Sequence, residues 1–157
     1  MVFVVDLRRF ISVNMVSFFC EDVSFSLRHR WRIALWLCRV CKMHSRKLGR
    51  VNVIFCSDSY LLKINQKFLG HDYYTDVITF DYSEGSDVSG DVFVSVDSVR
   101  KNAEIFNQTF DRELHRVIVH GILHILGFDD ATETQISTMR CLEDEALLLL
   151  KKRFFVD

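Results

Sequence analysis

FDRELHRVIVHGILHIL, residues 110–126, runs directly into GFDD at 127–130, and the reading of the chain turns on this stretch. Leu114, Val117, Ile118, Gly121, Ile122 and Ile125 recur at the three-and-four spacing of a helix with one apolar face. Gly127 is placed to stop that helix. His120 and His124 are four residues apart, so at about 3.6 residues per turn both rings stand on one face. Asp130 follows the helix-ending glycine, where a sharp bend can swing a carboxylate back toward the two imidazoles. Two nitrogens and one carboxylate oxygen hold a metal ion and leave a position open for water, the arrangement of a catalytic rather than a structural site.

The neighbouring residues narrow that reading. His115 stands five residues before His120 and falls well round the helix, while His29 and His44 have no partner at metal spacing. His71, between Gly70 and Asp72, stays open as a site residue. A zinc peptidase of the HExxH type carries a glutamate after the first histidine as its general base; here Gly121 occupies that place. The glycine points to a close approach of backbone or substrate instead. Candidates for a different base are Asp129, beside a ligand, and Asp76, which can alternatively orient a ligand imidazole.

Outward from this helix the chain alternates strand and helix signals. Residues 17–25 are rich in aromatic and β-branched side chains and read as an early strand. Residues 27–47 read as a basic helix with Trp31, Leu35, Cys38 and Met43 toward one face, closed by Gly49. Residues 51–56 suit a buried strand; Ser57 or Asp58 caps a helix through Phe68 that Gly70 ends. Strands are expected at 76–82 and 91–96, with Asp97 or Ser98 capping a short helix. Thr132 with Gln135 forms a capping box for a last helix facing the core through Ile136, Met139, Leu142, Ala146 and Leu149. The expected architecture is α+β in layers: a small mixed sheet of about four strands packed with about five helices, one of them a zincin-like metal helix.

Composition sets the frame. The chain of 157 residues is 49% hydrophobic and 26% charged, which suits one domain and excludes a disordered or collagen-like chain. No apolar run approaches the roughly 20 residues that cross a bilayer. The opening MVFVVDLRRFISVN is broken by Asp6, Arg8 and Arg9 and makes a poor signal peptide, so the expected location is cytoplasmic. Five scattered cysteines, Cys20, Cys38, Cys41, Cys56 and Cys141, read as ordinary buried thiols. Charge is unevenly spread: residues 1–50 hold ten Lys or Arg against three acids, the remainder ten against eighteen. A basic segment of this kind is either a solvated helix surface or a face for polyanions.

In combination these motifs resemble the YbeY endoribonucleases, also called rRNA maturation factors. The family's mark is a helix bearing HGxLHxxGxDH, and HGILHILGFDD stands at 120–130. LKIN at 62–65, TDVITF at 75–80, GDVFVS at 90–95, and Met139 with Glu143 are similar to further family motifs in the same order. The likeness runs from about Met15 to the end, so residues 1–14 are expected to be an extension or a misassigned start. There are two departures. Asp130 replaces the family's third histidine, which keeps zinc in play and also suits Fe(II) or Ni(II). Leu69 stands where many members carry an arginine toward RNA phosphate, leaving Lys67, His71 and Arg100 as the nearest candidates for that contact.

The resemblance implies a single-strand-specific, metal-dependent endoribonuclease of ribosome assembly, acting on the 3′ end of 16S rRNA with the small subunit or its precursors as partner. It further implies one divalent ion per chain, zinc first, held by His120, His124 and Asp130. The basic residues 28–50 would then attract RNA phosphates, and Tyr73 and Tyr74 would stack on unpaired bases or pack at a strand entrance. The rivals are a metal-dependent hydrolase of another substrate and a non-catalytic assembly factor whose metal braces the last two helices.

Overall fold

Alternation of small β-branched residues with polar ones builds the centre of a four-stranded sheet, in the order β1-β2-β4-β3. The computed structural model describes residues 15–151; the expectation for residues 1–14 lies outside the described residues. β1 is Val16–Cys20, β2 Lys47–Cys56, β3 Val77–Asp81 and β4 Asp87–Ser95. β1 and β4 both run parallel to β2, and β3 is antiparallel to β4, so the sheet is mixed, as expected. Along β4 the side chains of Val88, Val92 and Val94 are buried on one face.

Five helices complete the described fold: α1 Arg30–Met43, α2 Asp58–Ile64, α3 Val96–Ile105, α4 Phe110–Ile125 and α5 Glu133–Lys151. Val51, Val53 and Phe55 of β2 join the buried residues of α1, α4 and α5 in one hydrophobic cluster. A smaller cluster, Cys56, Leu61, Ile64 and Ile78, lies under α2. The caps follow local chemistry. Ser57 accepts from the Tyr60 N–H at 3.1 Å, and Thr109 from that of Arg112 at 3.2 Å. Thr132 and Gln135 bond reciprocally, as a capping box does.

Several local expectations are corrected. α1 buries Ile33, Ala34, Trp36, Leu37, Val40 and Cys41, leaving Trp31, Leu35 and Cys38 half-buried and Met43 exposed. Arg32, Arg39 and Lys42 mark the outer side of the helix, and the seam opposite them is fastened where the Trp36 indole N–H donates to the Ala146 carbonyl of α5 at 2.7 Å. Gly49 does not close the helix; it lies inside β2, at an irregularity in the pairing with β4. Ser95, rather than Asp97 or Ser98, caps α3. α5 buries Met139, Glu143, Ala146 and Leu147 and leaves Ile136 exposed. Cys41 and Cys56 are buried, and burial pushes each thiol up to about 12, but Cys20 and Cys141 are exposed.

Candidate metal centre

α4 supplies the floor of the candidate site. Its inward stripe packs on the sheet so closely at Gly121 that an added Cβ would meet Val92 Cγ1 at 2.7 Å and Thr79 Cγ2 at 3.1 Å. The position after His120 therefore faces the sheet rather than open space, and a glutamate there would be driven into the core. His120 and His124 emerge on a different face, their rings 4.6 Å apart and nearly perpendicular. The helix ends through Gly127, whose φ of 100° is open to glycine and strained for other residues. The chain then turns back and brings Asp130 over the two rings.

Three donors converge. His120 Nε2 and His124 Nε2 are 3.0 Å apart, and the Asp130 carboxylate lies 3.5 Å from the first and 3.7 Å from the second. These are the His/Cys/Asp/Glu atoms among the described residues that come together closely enough to share an ion. Tetrahedral ligands at about 2.0–2.1 Å from zinc sit about 3.3 Å from one another, and the observed separations bracket that figure. The protonation pattern fits as well. His120 Nδ1 lies 2.6 Å from Glu143 Oε1, so this nitrogen donates to the carboxylate and Nε2 keeps its lone pair for the cluster. Burial, with the neighbouring His120 ring, holds His124 below the ordinary histidine range and favours the neutral imidazole that binds metals.

Behind His120 lies a network that reasoning from sequence missed. Arg116 forks onto Glu113 through Nε at 3.0 Å and Nη2 at 2.6 Å, reaches Glu143 Oε2 through Nη1 at 3.3 Å, and stands 3.6 Å from Asp76 Oδ2. Burial works against the Arg116 charge, and the carboxylates of Glu113, Glu143 and Asp76 outweigh it, raising the guanidinium above its ordinary value. Asp76 Oδ2 also accepts from Asn102 Nδ2 at 3.1 Å. Burial raises the Asp76 carboxyl, against the pull of Arg116 and His120. The carboxylate bonded to His120 is thus Glu143, whereas Asp76 accepts from Asn102 and faces Arg116 at 3.6 Å. Glu143 was visible in sequence only as a motif match.

A cleft of about 530 Å³ opens over the donors, lined by residues that include Asn65, Leu69, His71, Tyr73, Thr75, Asp76 and Asp129. One wall is set by a π-helical turn, Asn65–Leu69, that continues α2; buried Asn65 donates to the Tyr73 carbonyl at 2.9 Å. His71 and Tyr73 stack at 5.1 Å and share a hydrogen bond of 3.1 Å. Asp129 lines the cleft while its Oδ1 accepts from the Asp130 N–H. Tyr74 is exposed and outside the lining. Of the three residues expected at RNA phosphate, His71 reaches the cleft. Lys67 lies over the Phe68 ring, and Arg100 pairs with Asp97 and covers Phe110, both away from the lining.

Comparison with known proteins follows the same residues. A sequence profile described as endoribonuclease YbeY matches residues 21–151. The chain belongs to the YbeY family. Among the family's curated members, endoribonuclease YbeY of Porphyromonas gingivalis is 43% identical over 137 residues, covering 87% of this chain and 91% of its own. That of Cytophaga hutchinsonii is 46% identical, covering 87% and 96%. A solution structure from Thermotoga maritima superposes with a TM-score of 0.61 at 30% identity, covering 87% of this chain and 89% of its own. The mixed sheet and helical layers are thus those of a YbeY-type fold. Among the described residues, no helix is long and apolar enough to cross a membrane.

Proposed function

We propose that this protein is a metal-dependent, single-strand-specific endoribonuclease acting in the cytoplasm on rRNA, at the 3′ end of 16S rRNA within small-subunit precursors. The observation that carries the reading is the convergence of His120, His124 and Asp130 at the floor of an open cleft, with His120 fixed from behind by Glu143. Those three residues would hold one divalent ion, zinc first, with Fe(II) and Ni(II) suited to the same donor set. Such an ion, when bound, supplies Lewis acidity toward a phosphoryl oxygen and toward water.

The chain's own residues supply the rest. Glu143 keeps the proton on His120 Nδ1 and so directs Nε2 forward. Asp76 lines the cleft, and burial raises its carboxyl, which suits it to accept the proton of the attacking water. Asp129 is already engaged by the Asp130 backbone. His71 and Tyr73 offer a stacked face to an unpaired base, a contact that a duplex cannot make. The basic segment 28–50 adds sequence-blind attraction for phosphate.

The test is cleavage of single-stranded and duplex RNA by protein stripped with a chelator and reloaded with zinc, Fe(II) or Ni(II). Cutting of single strands alone, lost on stripping and restored by a metal, is the expected result. One observation favours a second reading. Leu69, an aliphatic residue in the cleft lining, offers no charge to a phosphate. Protein that sediments with small-subunit precursors yet cuts no RNA with any metal would establish a non-catalytic assembly factor instead. A hydrolase of peptides is disfavoured by the packing of Gly121 against the sheet, and casein serves as its control substrate.

A further inference from the structure

We infer that Arg116 is the positioning residue of the donor cluster, acting on His120 through Glu143; this rests on the reading of His120, His124 and Asp130 as metal donors. Arg116 and His120 are four residues apart on α4 and so share a face. The guanidinium is held in register by its own helix: both oxygens of Glu113, whose side chain is 1% exposed, accept from Nε and Nη2. Locked in that plane, Nη1 meets Oε2 of Glu143 on α5, and the other oxygen of the same carboxylate meets His120 Nδ1. One carboxylate therefore spans the arginine and the ligand ring, and its plane is set by the arginine. Nη2 also faces Asp76 Oδ2, tying the start of β3 to the same centre.

Two alternatives fail on geometry. Arg116 does not replace the cation missing at Leu69, because its guanidinium already faces the carboxylates of Glu113, Glu143 and Asp76 and it does not line the cleft. Charge neutralisation alone is also insufficient as an account. A compact ammonium supplies the charge but not the planar fork that orients Glu143.

The experiment compares the full-length wild-type protein with Arg116→Lys for zinc affinity, by competition with a chromophoric chelator. The expected loss is about 10- to 100-fold, the usual effect of removing a partner that orients a metal ligand. Glu143→Gln should show a similar loss, and the double variant little more than either alone. Nitrogen-15 spectra of the His120 ring should move from one tautomer, protonated at Nδ1, to a mixture in Arg116→Lys. Should that variant fail to fold, Arg116→Gln combined with Glu113→Gln removes the buried pair together and is read the same way. Zinc affinity within twofold of wild type, or losses that add in the double variant, overturns the inference and leaves the proposed function standing. Absence of zinc, Fe(II) and Ni(II) binding by the wild-type protein overturns both.

Discussion

At the N-termini of α2 and α3, the Asp58 carboxylate accepts hydrogen bonds from Ser95, from Ser98 at 2.6 Å and from Lys101 at 2.6 Å, while the Asp58 N–H donates to Asp97. Beneath the cleft, Arg116 gathers Glu113, Glu143 and Asp76, and the chain of bonds continues through His120. Both clusters join elements distant in sequence, and both are built from carboxylates with their partners. In the first, Lys101 answers the charge of Asp58, and Arg100, at 3.8 Å, that of Asp97. The second ends on two imidazole nitrogens and a carboxylate that face one another around one point. A satisfied network fastens; a network that finishes in unspent donors is preorganised for something from outside.

Replacements that separate fastening from preorganisation should fall in a definite order. The largest effect is expected from His124→Ala, which removes one donor and should abolish metal binding while the fold persists; elemental analysis and circular dichroism read both. Asp58→Asn should leave the metal in place, and loss of the ion from that variant would break the distinction between the two clusters. Next, Glu113→Ala leaves Arg116 without its closest counter-charge in the interior and should cost about 3–5 kcal/mol in urea unfolding, the penalty for breaking a buried pair. Gly121→Ala forces a methyl against Val92 and Thr79 and should cost about 1–3 kcal/mol by overpacking.

The smallest effect concerns pH. Partial burial opposes ionisation of Asp58, but the hydrogen bonds from Lys101, Ser95 and Ser98 outweigh it and hold the carboxyl below the ordinary range. A folded-state pKa below the unfolded value, about 3.9, contributes stability that is present above that value and is lost as pH falls toward the folded one. Urea midpoints measured downward from about pH 5 should therefore fall less steeply in Asp58→Asn than in wild type. Parallel slopes would show that Asp58 fastens nothing through its charge.

Much of the fold was legible because its signals are local. The stripe of α4 needs only periodicity, and the Thr132–Gln135 box and the Ser57 cap need only neighbours in sequence. The convergence of His120, His124 and Asp130 was legible for the same reason: a helical turn and a glycine bend place all three within eleven residues. Long-range partners were not. Glu113 and Arg116 look in sequence like an ordinary solvated pair three apart, and Glu143 like one of several acids along α5. Only the packing of α5 against α4 buries them together. The seam of α1 was misread because Trp31, Leu35 and Met43 are apolar yet lie off the docked face, and the bond from Trp36 to α5 marks which set faces inward.

Sequence by itself determined most of the elements, the caps at Ser57 and Thr132, the meeting of His120, His124 and Asp130, and the family, because each is written in spacings shorter than a few helical turns or in motifs kept in order. Tertiary structure alone decided which carboxylate holds His120, what a side chain at position 121 would crowd against, and which residues line the cleft. Those facts depend on surfaces meeting across the fold. Burial then turns a weak surface pair into a strong constraint, and no local pattern announces where that burial will fall.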